Sequence, residues 1–155
     1  MSVIIQSDQL RTVLVGAKVD RATATLPQTT QAAIFTVSGG RVLVTGLVGE
    51  VTTATGATAT NLKVTSNPTT GTDVDLAANT AVTSKEIGSL ITLPGTSGSA
   101  LVVKNGGGGG QLPAHNPYVV PIGTIDLVTD ASDTGSVKWS ITYIPLDNGA
   151  SVTAA

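Results

Sequence analysis

Apolar and polar residues alternate along much of this chain in short runs, which glycine, proline and asparagine separate. The clearest run is 136–144, in which Val137, Trp139, Ile141 and Tyr143 alternate with polar residues. Successive side chains of a strand point to opposite faces, so alternation over this length predicts a strand with one buried face. We therefore expect Trp139 and Tyr143 to anchor a hydrophobic core.

Two neighbouring runs, 33–37 and 41–45, lie on either side of the segment Ser38-Gly39-Gly40. Glycine adopts positive φ at little steric cost, as a tight hairpin turn requires. The pattern therefore predicts a β-hairpin in which these two runs pair with each other.

Glycines at Gly46 and Gly49 interrupt the strand-like residues that follow, which predicts a bulge or a close approach to the backbone. Residues 53–60 fit either a loop or a strand with only small side chains on its core face. Residues 84–87 fit one short helical turn. Other short runs also predict strands: 2–6, 12–15, 61–66, 72–76, 90–93, 100–104, 118–121 and 123–128.

The order of these elements predicts the fold class. Strands that recur about every 8–12 residues between turn residues are typical of antiparallel sheets. We expect an all-β fold, an antiparallel β-sandwich or barrel-like structure with Gly/Thr-rich loops and little or no helix. Residues 1–155 are expected to form one domain, with a flexible N-terminal segment 1–10 and a flexible glycine-rich loop 105–117.

Composition excludes several classes of partner. Hydrophobic residues make up 41% of the chain and charged residues 12%, the net charge is -2, and there is no cysteine. The chain is too apolar for an intrinsically disordered protein, and it lacks the positive charge that binds nucleic acid or an anionic membrane. Without thiols it forms neither disulfides nor thiolate zinc sites.

The first residues lack the basic and apolar regions of an ordinary signal peptide, and every long uncharged stretch is broken by polar residues, Gly or Pro. We therefore expect a protein that is made in the cytoplasm and is not exported by the usual secretory route, with no membrane partner.

Candidate catalytic residues are few. His115 is the single imidazole, and no nucleophile-elbow pattern lies near it, so we interpret it as a loop residue. Asp73 and Asp75 lie two apart on one predicted strand, the usual pattern of a solvated edge. The run Gly106–Gly110 lacks the Lys-Ser/Thr ending of a phosphate-binding loop. We expect no enzyme activity and no cofactor or metal.

Three acidic residues near one predicted turn form a candidate cation site. Asp126, Asp130 and Asp133 fit either oxygen ligands for Ca²⁺ or ordinary turn chemistry. Their spacing matches no EF-hand loop, which favours the turn.

The aromatic residues offer an alternative function. Tyr118, Trp139 and Tyr143 could stack on a sugar, as in a carbohydrate-binding adhesin module. Trp139 and Tyr143 share a predicted face with Val137 and Ile141, however, which favours a role in the core.

A weakly charged, Thr-rich, all-β chain with so little catalytic equipment is typical of a structural protein. Threonine faces can be buried against other proteins at modest desolvation cost. The segments 34–53 and 135–146 resemble small structural proteins of tailed bacteriophages. The resemblance implies a virion component, most specifically a capsid decoration (cement) protein on the capsid surface. Such a protein would bind the major capsid protein and form a homo-oligomer, often a trimer; a tail, fibre or spike-base component is the alternative.

Overall fold

The computed structural model describes residues 6–109 and 117–155, and in these residues it contains one helix and eleven strands. In chain order they are α1 (Ser7–Val15), β1 (Ala17–Thr25), β2 (Gln31–Ser38), β3 (Val42–Thr53), β4 (Asn61–Pro68), β5 (Val74–Ala81), β6 (Leu90–Thr92), β7 (Val102–Lys104), β8 (Tyr118–Val120), β9 (Gly123–Thr129), β10 (Ser136–Pro145) and β11 (Ser151–Ala154).

The strands form two sheets whose neighbouring strands are antiparallel. Sheet A has the order β1-β10-β3-β6-β7, and β8 also pairs with β3. Sheet B has the order β11-β2-β9-β4-β5. Buried apolar side chains from both sheets form one hydrophobic core, so the sheets pack as a sandwich. The predicted all-β fold with little helix is confirmed.

Strand β10 lies between β1 and β3 and supplies the centre of the core. Val137, Trp139, Ile141 and Tyr143 are all buried, as their alternation predicts. Trp139 is 1% exposed, and it is among the largest fully buried side chains in the described residues.

The predicted hairpin is wrong in its pairing, although both of its strands exist. Strand β2 pairs with β9 and β11 in sheet B, whereas β3 pairs with β10, β6 and β8 in sheet A. Residues 39–41 therefore form an arch that carries the chain from one sheet to the other. The backbone N–H of Arg41 donates to Asp147 Oδ2 at 2.7 Å, which holds this arch against the turn between β10 and β11.

The predicted strand 12–15 is also wrong, because these residues form the second half of α1. At the start of the helix, the Gln6 N–H donates to Gln9 Oε1 at 3.1 Å. At its end, Gly16 adopts a φ of 90° and its N–H donates to the Thr12 carbonyl at 3.0 Å. These local contacts favour a helix over the strand that the β-branched residues indicated.

The two interrupting glycines behave as predicted. The register of β3 and β10 shifts beside Gly46, which marks a bulge, and Gly49 contacts the Trp139 ring closely. Strand β3 ends at Thr53, so most of the ambiguous segment 53–60 is loop. Residues 84–87 form turns and no helix. The predicted strand 2–6 lies almost entirely outside the described residues.

Candidate functional site

Helix α1 exposes an apolar stripe formed by Leu10, Val13 and Leu14. These side chains are 51%, 81% and 70% exposed, and the helix buries none of its residues in its own chain. Residues three and four apart lie on the same side of a helix, so the three side chains form one surface. An apolar helix surface that stays exposed among the described residues is a candidate protein interface.

The end of α1 is fixed to the outer face of sheet A. Gly16 packs so closely on β10 that a Cβ there would lie 2.1 Å from the Tyr143 carbonyl oxygen. The Thr45 hydroxyl donates to the Val15 carbonyl and lies 2.9 Å from the Thr142 hydroxyl. The helix therefore has a fixed point of attachment while its apolar stripe stays exposed.

An open groove of about 370 Å³ lies on sheet A beside this attachment point. Its lining combines small apolar and hydroxyl-bearing residues with one charged residue: Val15, Lys18, Thr45, Gly46, Val48, Ser140 and Thr142. Gly46 adds no side chain to the groove, and a Cβ there would lie 3.0 Å from Thr142 Oγ1.

The one charged residue of the groove is already paired. Lys18 Nζ lies 2.8 Å from Asp20 Oδ1, and the Ser140 hydroxyl donates to the same oxygen at 2.6 Å. The hydrogen bond from Lys18, with that from Ser140, lowers the pKa of Asp20 below its usual value. The groove thus carries no unpaired charge on its lining.

A short apolar row continues from the groove across three strands. Ile144 of β10, Leu43 of β3 and Val119 of β8 are register partners. The residue before each of them packs in or against the core: Tyr143, Val42 and Tyr118. Ile144 and Val119 are 41% and 55% exposed. The Ile144 side chain also lies beside Gly16, so the row adjoins the end of α1.

The two candidate catalytic carboxylates have different surroundings in the structure. Asp75 accepts hydrogen bonds from Lys63 Nζ at 2.9 Å and Thr65 Oγ1 at 2.9 Å, whereas Asp73 is exposed. The hydrogen bond from Lys63 holds the pKa of Asp75 below its usual value. Asp75 is thus one half of a surface ion pair. His115 lies outside the described residues.

The carboxylates of the candidate cation site have separate roles. Asp133 Oδ1 accepts from the backbone N–H groups of Gly56 at 3.0 Å and Gly135 at 2.6 Å, which ties two loops together. Asp130 accepts from the side chain and backbone of Asn61, and these bonds lower the pKa of Asp130.

Asp126 is buried, and its Oδ2 accepts from Gln31 Nε2 at 2.6 Å and Asn67 Nδ2 at 3.1 Å. Its Oδ1 has no hydrogen-bond partner among the residues that the structure describes. Across residues 6–109 and 117–155, no group of three or more His, Cys, Asp or Glu side chains is placed to hold a metal.

The aromatic residues do not form an exposed platform. Trp139 and Tyr143 are buried in the core, as favoured above. Tyr118 is half-buried, its hydroxyl donates to the Leu76 carbonyl at 3.3 Å, and burial raises the pKa of Tyr118.

The glycine-rich run is described only as far as Gly109. Its first member, Gly106, donates its N–H to Ser89 Oγ at 3.1 Å, and Gly107 packs against Gly88. This end of the run is therefore held by the loop before β6. In the part of the chain that the structure describes, no helix is long and apolar enough to span a bilayer.

No protein-family model and no curated protein matches the chain. Among solved structures, a chain in the structure of infectious bursal disease virus, Gx strain, is 14% identical, with a TM-score of 0.23. The match covers 88% of this chain and 33% of that chain, so this chain spans about a third of its length. At that TM-score the two backbones follow different paths overall, and the likeness carries no argument about function.

Proposed function

We propose that the chain is a structural protein of a virus particle that acts by binding other protein subunits. In its narrower form, the proposal is a decoration protein that cements the outer capsid surface of a tailed bacteriophage. Its partners would be the major capsid protein and further copies of the chain in a homo-oligomer such as a trimer. The sequence resemblance given above motivates the viral part of this proposal.

The observation that carries the binding role is the grouping of exposed apolar side chains. In the described residues, all the exposed large apolar side chains except Val74 and Ile87 belong to α1, to β8, to the end of β10 or to the turns after these two strands. Apolar surface gathered on one part of a molecule marks an interaction site more strongly than the same residues scattered singly.

The rest of the surface suits an assembled particle. The outer face of sheet A carries Thr and Ser hydroxyls beside few charges, and hydroxyl groups cost less to bury against a protein than unpaired charges do. Many copies on one particle would bind jointly, so that weak single contacts add through multivalency.

A labelled copy viewed by electron microscopy tests this proposal. Purified protein carrying a gold or fluorescent label is added to particles of the virus whose genome encodes the chain. Label distributed over the head supports capsid decoration. Label on the tail, fibres or spike base contradicts decoration and supports the alternative, and label on no part of the particle contradicts the virion role.

A further inference from the structure

We propose that α1 of one copy docks into the sheet A groove of a second copy, so that the chain self-associates head to tail. This inference deepens the proposed function, on which its biological meaning rests. It joins two features that no described residue of the same chain covers: the stripe of Leu10, Val13 and Leu14, and the groove beside Val15.

The helix needs a packing contact that the described residues of its own chain do not supply. Isolated helices shorter than roughly 12–15 residues are marginal in water, and most helices gain stability by packing an apolar face. Helix α1 has nine residues and buries none of them. Docking its stripe would provide the missing packing.

The groove can bind an apolar helix with only a small desolvation penalty. Val15 and Val48 contribute apolar surface, and Gly46 leaves the lining open to a close approach. Covering the ammonium of Lys18 leaves no unpaired charge, because Asp20 already neutralises it.

The charges beside the two surfaces are complementary. Helix α1 carries one acidic residue, Asp8, and one basic residue, Arg11. Lys138 and Glu50 are register partners on the exposed face of β10 and β3, and neither forms an ion pair with another described residue. Asp8 and Arg11 therefore carry the charges that complement Lys138 and Glu50, respectively.

The surface area that a contact would bury favours docking of the helix on sheet A over a contact between two helices. A nine-residue helix is only about 14 Å long, so two such helices would bury a small part of the roughly 800 Å² per partner that stable interfaces use. Docking on sheet A adds the apolar row of Leu43, Val119 and Ile144 beside the groove. Because the helix and groove are different surfaces, the contact repeats from copy to copy and can close into a ring.

Cysteine crosslinking tests which surfaces meet, because the chain has no native cysteine. Leu14→Cys and Val48→Cys are made as separate proteins, then mixed and treated with a short bismaleimide. We expect a crosslinked dimer containing one chain of each variant in the mixture, and far less in either variant alone. Dominant crosslinking of Leu14→Cys to itself, or no crosslinked dimer in any sample, would overturn the proposal.

Light scattering on the full chain tests the association independently. We expect the parent to have the mass of at least two copies, and Leu14→Asp and Val48→Asp each to have the mass of one. Ile87→Asp is the matched control, since this exposed residue lies outside both surfaces, and it should keep the parental mass. Circular dichroism confirms that each variant remains folded.

A monomeric parent overturns the docking proposal, whereas the labelling of virus particles still decides the proposed function. Conversely, a self-associating chain that binds no part of the particle contradicts the proposed function and leaves the docking contact standing.

Discussion

Gly49 lies opposite Trp139 in the register of β3 and β10, and the indole ring fills the space where a side chain at position 49 would project. A Cβ at Gly49 would lie 2.8 Å from two carbons of that ring. The glycine in the middle of a long strand is therefore required by the packing of the largest core side chain.

We expect Gly49→Val to destabilise the fold by about 1–3 kcal/mol, because it overpacks a filled core. The measurement is the midpoint of urea unfolding. Gly108→Ala is the matched control, since nothing lies within 4 Å of a Cβ at that position, and it should leave the midpoint nearly unchanged. Equal midpoints for Gly49→Val and the parent would show that the ring does not occupy this space.

Replacing Trp139 by Ala should cost about 3–5 kcal/mol, the usual cost of removing a buried aromatic side chain and leaving a cavity. Denaturant unfolding followed by circular dichroism measures the loss without depending on the fluorescence of the single Trp. If the variant unfolds at the same denaturant concentration as the parent, the core assignment is wrong and the sugar-stacking interpretation regains support.

Asp133→Ala should destabilise the fold by about 1–3 kcal/mol, because it removes the acceptor of two backbone N–H groups at a buried site. Chemical denaturation measures the effect, with Asp73→Ala as an exposed carboxylate control. Addition of Ca²⁺ should not stabilise the parent, since the carboxyl group serves the backbone of two loops. A calcium-dependent rise in unfolding temperature that Asp133→Ala abolishes would instead support the cation site.

The Arg41–Asp147 ion pair should make stability depend on pH in the acid range. The hydrogen bond from Arg41 lowers the pKa of Asp147 to about 2, from an ordinary value of 3.8. A carboxyl group whose pKa is lower in the folded state than in the unfolded state stabilises the fold at any pH above the unfolded-state pKa. This stabilisation is lost as the pH falls through the folded-state pKa.

The parent should therefore unfold at a higher urea concentration than Asp147→Asn at pH 5–7, and the difference should shrink as the pH falls below about 4 and be largely lost by pH 2. Salt should reduce it, because the ion pair lies at the surface, with the Arg41 side chain 62% and the Asp147 side chain 36% exposed. Asp73→Asn provides the control. A difference that persists unchanged at pH 2 would show that the charge of Asp147 is not its source.

Deleting residues 1–10 should weaken attachment to virus particles more than it weakens folding. The deletion removes the start of α1, including Leu10, and no residue of this helix contributes to the core. Co-sedimentation with particles measures attachment, and thermal unfolding measures stability. Undiminished retention on particles would show that this segment is not part of the contact.

The sequence predicted which residues form strands better than it predicted which strands pair. Phe35 and Val37 on one run, and Val42 and Val44 on the next, alternate in the same way whether the runs pair in a hairpin or face each other across a core. Alternation reports that one face is buried, but it contains no information about which sheet supplies the partner strand. The glycines in the connection permit either geometry.

The helix that carries the candidate interface escaped prediction for a different reason. The β-branched run ending at Val15 indicated a strand, whereas Leu10, Val13 and Leu14 have helical spacing, with Gly16 placed to end a helix. Because this stripe stays exposed, it does not follow the pattern of core-facing positions from which the other elements were predicted. Spacing together with the following glycine was therefore the only available indication.

The positions of β10 and β11 in the two sheets have a consequence for folding during synthesis. Sheet A needs β10 to join β1 to β3, and sheet B receives β11 beside β2, so strands from residues 136–154 complete both sheets. Neither sheet has all of its strands while those residues are still inside the ribosome. We expect the nascent polypeptide to emerge with open edges and to reach its native state only after translation has passed this region.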